Sequence, residues 1–477
     1  SKQRTSIHAS VLLVLVYLWF LIATPDIRFS FFELIHFERV LVFFLALTLL
    51  FSGRMYWRPS PFTPLLLLFY CWLLIGYFLS PYQSSSNPQW WIENYWKVLL
   101  FYFFVLFSLE KLEELSQLFI GIAVISLLYQ LHSWHDFLSG GSYVFQQGLK
   151  RMVGVWSGGG IGAANAYGML GLISAPFGIF WFYAVRTRPM KMLALFFLCV
   201  CFASVLFSGT RAALVGLVFL FIVGLGSILR NLKVALVVVV ALATLLAVLP
   251  EDLRHRYFNL IFVEENEIQD DFDKIATESA ESRVQGLQDG WELFLKRPLF
   301  GYGPGASEVA RQELRPPGTT DKQKAAETLQ LHNLYGQLLS ETGLGGTLVF
   351  LAIVSVYLLQ LRRIKRLVGK GHELGPALLN YRNLLRNTML LMLFYGFFSH
   401  TLYRYHWLLL FASHAALMYI VMRQPHAAVP AALAKGAARV WPPAANERRA
   451  GLHAGGTVRR GTDGYQERRT HRSRRGG

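Results

Sequence analysis

Four short stretches carry side chains able to do chemistry. In the first, Lys150-Arg151-Met152-Val153-Gly154 precedes Gly158-Gly159-Gly160-Ile161-Gly162 and Asn165. A guanidinium beside a run of glycines lets a planar cationic fork and backbone N–H groups converge on one anion, as a phosphate needs. A flexible loop with one snorkelling arginine has the same sequence pattern. The second is Ser208-Gly209-Thr210-Arg211, at the junction of two apolar runs. An arginine at that depth is costly unless it faces an aqueous cavity or a counter-charge. An interfacial anchor is the alternative, and Gly209, Ala212, Ala213 and Gly216 would let helices approach closely. The third is Ser282-Arg283, leading into Leu287, Trp291, Phe294 and Leu295 at helical spacing. That pattern predicts an amphipathic helix along a membrane surface, with Arg283 aimed into a cleft or paired with one of the acids between Glu264 and Asp273. The fourth is His332, ahead of an apolar helix. A neutral imidazole can take a proton from an attacking hydroxyl near neutral pH, although a lone histidine can equally be structural. Lys97, within an apolar run and beside Trp90, Trp91, Tyr95 and Trp96, is a further candidate, with Arg404 and His406 near the same interface.

The elements that must hold these residues are membrane spans. The chain has 477 residues, 54% hydrophobic and only 16% charged, and its apolar runs of roughly 17 to 25 residues suit a bilayer core. They predict an all-α, polytopic integral membrane protein with about 12 transmembrane helices, at 7–24, 34–52, 61–80, 92–109, 115–133, 161–184, 191–208, 212–229, 233–249, 333–360, 386–402 and 407–423. The first run ends at Pro25-Asp26 without a small-residue cleavage site, so a retained span is expected there. The expected organisation is helices one to nine over 1–249, an outer segment with amphipathic helices over 250–332, helices ten to twelve over 333–423, and a basic tail over 424–477.

The basic residues of the short connections set an orientation. Arg54, Arg58, Lys111, Arg186, Arg188, Lys191, Arg230, Lys233, Arg362, Arg363, Lys365, Arg366, Lys370 and Arg382 fall on the side of the N-terminus, which is expected inside. Arg28, Lys150, Arg151 and Arg404 fall on the other. The candidate residues therefore share the outer face. The net charge of +17 is no nucleic-acid signature: 424–477 alone holds eleven Lys/Arg against three Asp/Glu, in an Ala/Gly/Pro/Arg-rich composition expected to be disordered and able to touch anionic lipid. The three cysteines, Cys71, Cys199 and Cys201, lie in apolar runs and imply no disulfide framework. The acids from Glu264 to Asp273 lack the spacing of a calcium loop and read as a solvated face, so no metal is expected. Arg297-Pro298-Leu299-Phe300-Gly301-Tyr302-Gly303-Pro304-Gly305 reads as a rigid, exposed loop.

Four pieces in order resemble the bacterial O-antigen ligase and O-antigen polymerase superfamily over about residues 145–350. They are Arg151-x-x-Gly154 with Asn165; Ser208-Gly209-Thr210-Arg211; Glu281-Ser282-Arg283 with Arg297 to Gly305; and His332-Asn333 with Glu341-Thr342-Gly343. The resemblance implies a metal-independent, cofactor-free, inverting glycosyltransferase, similar in architecture to GT-C enzymes. Its donor would be undecaprenyl-diphosphate-linked O-antigen and its acceptor a sugar hydroxyl of lipid A-core, at the periplasmic face of the bacterial inner membrane. By the same resemblance Arg151 and Arg211 would hold the diphosphate, Arg283 would assist donor or acceptor, and His332 would activate the acceptor hydroxyl. O-antigen polymerase stays open, because Arg151 with ten residues before Gly162 resembles a pattern of that branch. Protein O-oligosaccharyltransferase and a transporter of the lipid-linked glycan are further alternatives.

Overall fold

A computed structural model of the chain describes residues 7–146, 149–155, 163–228, 250–258, 271–314, 331–367 and 375–423, with single positions at 240, 244 and 247. Contacts divide the chain into a large unit, Ser1–Tyr56 with Ser60–Val429, and a small one, Trp57–Pro59 with Pro430–Gly477. The candidate residues all belong to the large unit. The basic tail from 424 lies outside the described residues, as does 264–270, which holds most of the acids considered above.

The fold is mostly helical. In chain order the helices are α1 (Ala9–Ala23), α2 (Ser30–Leu34), α3 (Phe37–Phe51), α4 (Phe62–Phe78), α5 (Ser86–Ser108), α6 (Leu112–Leu138), α7 (Ala164–Ala184), α8 (Arg188–Phe207), α9 (Arg211–Ile228), α10 (Glu251–Phe258), α11 (Asp271–Lys296), α12 (Ser307–Ala310), α13 (Leu334–Leu367), α14 (Gly375–Tyr395) and α15 (Tyr405–Arg423). Among the described residues, five helices are long and apolar enough to cross a membrane: α6, α7, α8, α13 up to Arg366, and α15. Helices α1 and α4 and the stretch Arg211–Gly224 are apolar but shorter. The chain is a polytopic membrane protein. Each span expected from hydropathy overlaps a helix except 233–249, which lies largely outside the described residues.

Three departures from the sequence reading have physical causes. First, residues 143–152 are not helical: β1 (Tyr143–Gln146) pairs antiparallel with β2 (Leu149–Met152), with Val144 opposite Arg151. The aromatic and β-branched run Tyr143-Val144-Phe145 favours that pleat. Alternation along β2 leaves Lys150 exposed, its ammonium 4.3 Å from the Tyr143 ring centroid, while Arg151 turns inward.

Second, α14 begins eleven residues before the span drawn at 386–402 and stops at Tyr395. Its first turns are polar, which hides them from hydropathy, but the polar groups bond to neighbouring main chain. Asn380 donates to the Phe180 carbonyl (3.1 Å), Tyr381 to the Leu112 carbonyl (2.8 Å) and Arg382 to the Leu361 carbonyl (3.0 Å).

Third, the Arg297–Gly305 loop is not exposed along its length. Residues 301–306 are buried, wedged into a break in α13 at Gly343, whose φ is 60°. The broken helix frees backbone groups that the loop satisfies. Tyr302 N donates to Ser340 O (2.8 Å), Gly303 N to Glu341 O (3.0 Å), and Leu344 N to Pro298 O (2.7 Å). Trp72 of α4 adds a bond to the Thr342 carbonyl at 2.9 Å. Non-helical backbone at membrane depth is tolerated only where protein surrounds it in this way. The buried Glu341 carboxylate then fixes the loop's far end, accepting from Gly305 N (2.9 Å), Ser307 Oγ (2.5 Å) and Tyr403 Oη (2.6 Å).

Candidate active site

Arg151 is built into the junction between α8 and α9. Its side chain is buried (2% exposed) and donates through Nε to the Ser208 carbonyl at 2.9 Å. Its Nη2 donates to Asn165 Oδ1 at 2.8 Å and Thr210 Oγ1 at 3.2 Å. Thr210 in turn donates to the Ala164 carbonyl at 3.1 Å, tying the start of α7 to the start of α9. Burial pulls the Arg151 pKa down, and the nearby charge of Arg283 adds to the pull. Arg211, half-buried, is the first residue of α9, one position beyond Thr210.

Arg283 reaches this junction because α11 lies almost in backbone contact with the start of α13. A Cβ at Gly286 would lie 1.9 Å from the Leu331 carbonyl oxygen, and one at Gly290 2.4 Å from Gly336 Cα. The i, i+4 glycine pair thus lets two helices meet at a spacing that no other residue permits. Arg283 sits one turn before Gly286, half-buried, with its guanidinium carbon 6.0 Å from the Phe398 ring centroid. Burial lowers its pKa, the Tyr395 hydroxyl acts the other way, and Arg211 lowers it further. It is therefore directed at the arginine junction and the turn after α14.

His332 has a left-handed backbone, φ 48°, which is uncommon outside glycine and is kept only where the surroundings impose it. Here they do. Asn333 caps α13, its Oδ1 accepting from Tyr335 N (2.9 Å) and Gly336 N (3.0 Å), while its Nδ2 donates to the Phe397 carbonyl (3.2 Å). Leu334 N donates to the Gly396 carbonyl at 2.7 Å, and Tyr335 Oη to the Leu393 carbonyl at 2.7 Å. His332 is accessible to solvent, with protein packed around its ring. Its centroid is 5.2 Å from that of His400. That burial and the positive charges of Arg283 and Arg311 hold the His332 pKa below its usual value. Arg311 is itself held by Asp289 of α11, Nε to Oδ2 at 2.7 Å, with Gln285 on the other carboxylate oxygen at 2.6 Å.

Arg151, Arg211, Arg283 and His332 thus converge, linked through Arg283, which feels Arg211 and acts on both Arg151 and His332. Lys97 does not join them by any described contact. It is exposed on α5, its ammonium donating to Asn94 one turn back at 2.8 Å. Sequence reasoning missed Tyr395, Phe398, His400 and Arg311. The first three were hidden inside or beside the span drawn to 402, although Gly396 and the polar Ser399-His400-Thr401 mark its end. Tyr395 lies near both arginines, its hydroxyl donating to the Asn165 carbonyl at 3.1 Å and affecting both Arg151 and Arg283.

A pH dependence follows from the His332 environment. A depressed imidazole pKa keeps the ring neutral further into acid, so the acid limb of any reaction using it as a base should lie below about pH 6.5. Arg283→Gln removes one of the charges responsible and should move that limb upward, measurable as a pH–rate profile on the residual activity.

A cluster of guanidiniums has donors and no lone pairs, so it suits an oxyanion. Set beside the accessible imidazole of His332, it can hold an anionic group next to a group able to take a proton. Residues 193–351 match the family described as O-antigen ligase, a stretch that contains Arg211, Arg283 and His332. The likeness is to that family over this stretch, a third of the chain. No curated protein matches it.

Proposed function

We propose that the protein is a glycosyltransferase that moves a glycan from undecaprenyl diphosphate onto a sugar hydroxyl of lipid A-core, as an O-antigen ligase with GT-C-like architecture. The observation that carries this is the convergence of Arg151, Arg211 and Arg283 on the side of His332, in a family whose members are glycosyltransferase-like enzymes acting on lipid-linked glycans.

In this reaction the acceptor oxygen bonds to the anomeric carbon as the bond from that carbon to the diphosphate breaks. The electron pair leaves on the diphosphate, whose charge the guanidiniums neutralise through paired N–H donors. The hydroxyl proton passes to His332, and attack opposite the leaving group inverts the anomeric centre. Arg151, held by hydrogen bonds to Ser208, Asn165 and Thr210, acts as a preorganised part of the anion site. Arg211 and Arg283 bring their charge from two other elements. No step requires a nucleotide triphosphate, which suits an outer-face site, and the basic connections at the opposite end of the bundle support placing it at the periplasmic side of the inner membrane. The basic segment after Gln424 would add contact with anionic membrane lipids. Lys97 remains a glycan-side candidate, reached by substrate extending across α5.

O-antigen polymerase is the second reading, favoured by Arg151 with ten residues before Gly162. Purified protein in lipid vesicles, given a labelled polyprenyl-diphosphate glycan and lipid A-core without ATP, separates them. Label on the core supports ligation, glycan growth on its own lipid supports polymerisation, and movement across the bilayer with no new bond supports a transporter. In the same assay Arg211→Lys is expected to lose about tenfold or more in rate, since a point charge cannot reproduce a bidentate fork. Full activity of that variant would reduce the role of Arg211 to charge alone.

A further inference from the structure

We infer that His400 is a positioning residue for the transfer, the hydrogen-bond partner that orients His332 and steadies it as it becomes protonated. The inference rests on the assignment of His332 as the base.

The turn after α14 is the hub of the His332 environment. The Gly396 carbonyl accepts from Leu334 N and the Phe397 carbonyl from the Asn333 side chain, Phe398 lies against Arg283, and His400 places its ring beside His332 with the planes tilted by 57°. Ring rotation at that centroid distance brings a nitrogen of one imidazole within hydrogen-bond range of the other. His400 Nδ1 is shut off from solvent and has no hydrogen-bond partner among the described residues. A buried polar atom left in that condition is destabilising and needs an explanation, which a bond to His332 formed in the working state would supply.

The charges around the pair explain why an imidazole stands there. His332 faces Arg283 from α11 and Arg311 from the turn after α12, and His400 faces Arg404 from its own turn. A carboxylate placed beside His332, the common orienting group for a catalytic histidine, would be captured by these arginines and would repel an anionic leaving group. A neutral imidazole accepts a hydrogen bond without doing either. Burial, then His332 and Arg404, push the His400 pKa down to about 3, so the second ring stays uncharged at any working pH. In the working state His400 accepts the N–H of one His332 nitrogen and leaves the other nitrogen's lone pair for the acceptor proton. After transfer His332 carries that proton, and the bond to His400 strengthens.

Two variants and one additive test this, in the transfer assay with full-length protein in lipid. His400→Phe keeps ring volume and removes both nitrogens. It is expected to lower kcat about tenfold to a hundredfold with the donor KM little changed, and to move the acid limb to lower pH, because His332 loses the acceptor that favours its protonated form. His400→Ala is expected to regain rate on addition of imidazole. A His400→Phe enzyme with wild-type kcat and an unmoved limb would overturn the inference. So would a slow His400→Phe enzyme with an unmoved limb and no imidazole rescue of His400→Ala, since a packing role alone gives that result. Turnover by a His332→Ala enzyme would overturn the base assignment and this inference together, whereas an inactive His332→Ala with a normal His400→Phe removes only His400.

Discussion

Replacement of His332 by Ala or Asn is expected to reduce glycan transfer by about 10²–10⁴-fold, the contribution typical of a positioned general base. The two variants answer different objections. The backbone at 332 is left-handed, with φ 48°, which a β-carbon-bearing residue adopts at some cost and Asn tolerates better than Ala. Asn also keeps a polar side chain on the wall of the site while lacking a group that can take a proton near neutral pH. Loss in Ala alone would indicate local backbone damage, whereas equal loss in both points to the missing imidazole. The elements around the residue should survive either change, because Asn333 and the Gly396 carbonyl hold the start of α13 without help from the His332 ring. The measurements are transfer rate, detergent-extracted monodispersity and membrane insertion. Near-normal turnover in an intact variant would remove His332 from proton transfer.

The second large effect lies away from the chemistry. Gly286→Ala should cost about 10²-fold in rate, the loss that a misplacement of order 1 Å brings. The added methyl would meet the Leu331 carbonyl oxygen at 1.9 Å. That neighbour is main chain and cannot swing aside, so α11 must lift from α13, taking Arg283 from the arginine junction and loosening the Asp289 anchor of Arg311. A lowered Tm should accompany the rate loss, since the same movement opens a packed interface. Gln288→Ala, an exposed change on the same helix, should leave both near wild type. Wild-type kcat in Gly286→Ala would show that the close crossing of α11 on α13 does not set the site.

The spans were legible wherever apolar residues run without a break, because hydropathy reports burial in lipid directly. It fails for α14, whose Asn380, Tyr381 and Arg382 find carbonyls at the ends of other helices and so need no water. Arg151, Arg211 and Arg283 stood out because a cation near apolar runs needs a reason to be there. Their convergence was not legible: it depends on how closely α11 crosses α13 and on the turn at Gly396–His400, contacts between residues far apart in the chain. The glycines at 286 and 290 hinted at a close approach without naming the partner. Lys97 was noticed for the same reason, a cation within an apolar stretch, and its side chain is bonded to Asn94 on the exposed face of its own helix. The hairpin was hidden for another reason: four-residue strands flanked by long helices leave little periodicity to detect.

The interruption of α13 at Gly343 also has a bearing on biogenesis. A segment with a gap in its ladder of hydrogen bonds is a poor candidate for release into lipid by itself, since each bare amide or carbonyl there is penalised by several kcal/mol. Ribosomal synthesis delivers the remedy in time, because residues 298–303 and Trp72 precede 340–345 in the chain and can be waiting as the hinge emerges. The late helices would then settle onto an already assembled first two-thirds. A circular permutant that presents 334–423 before 297–305 should insert inefficiently, even though every native contact remains available to it.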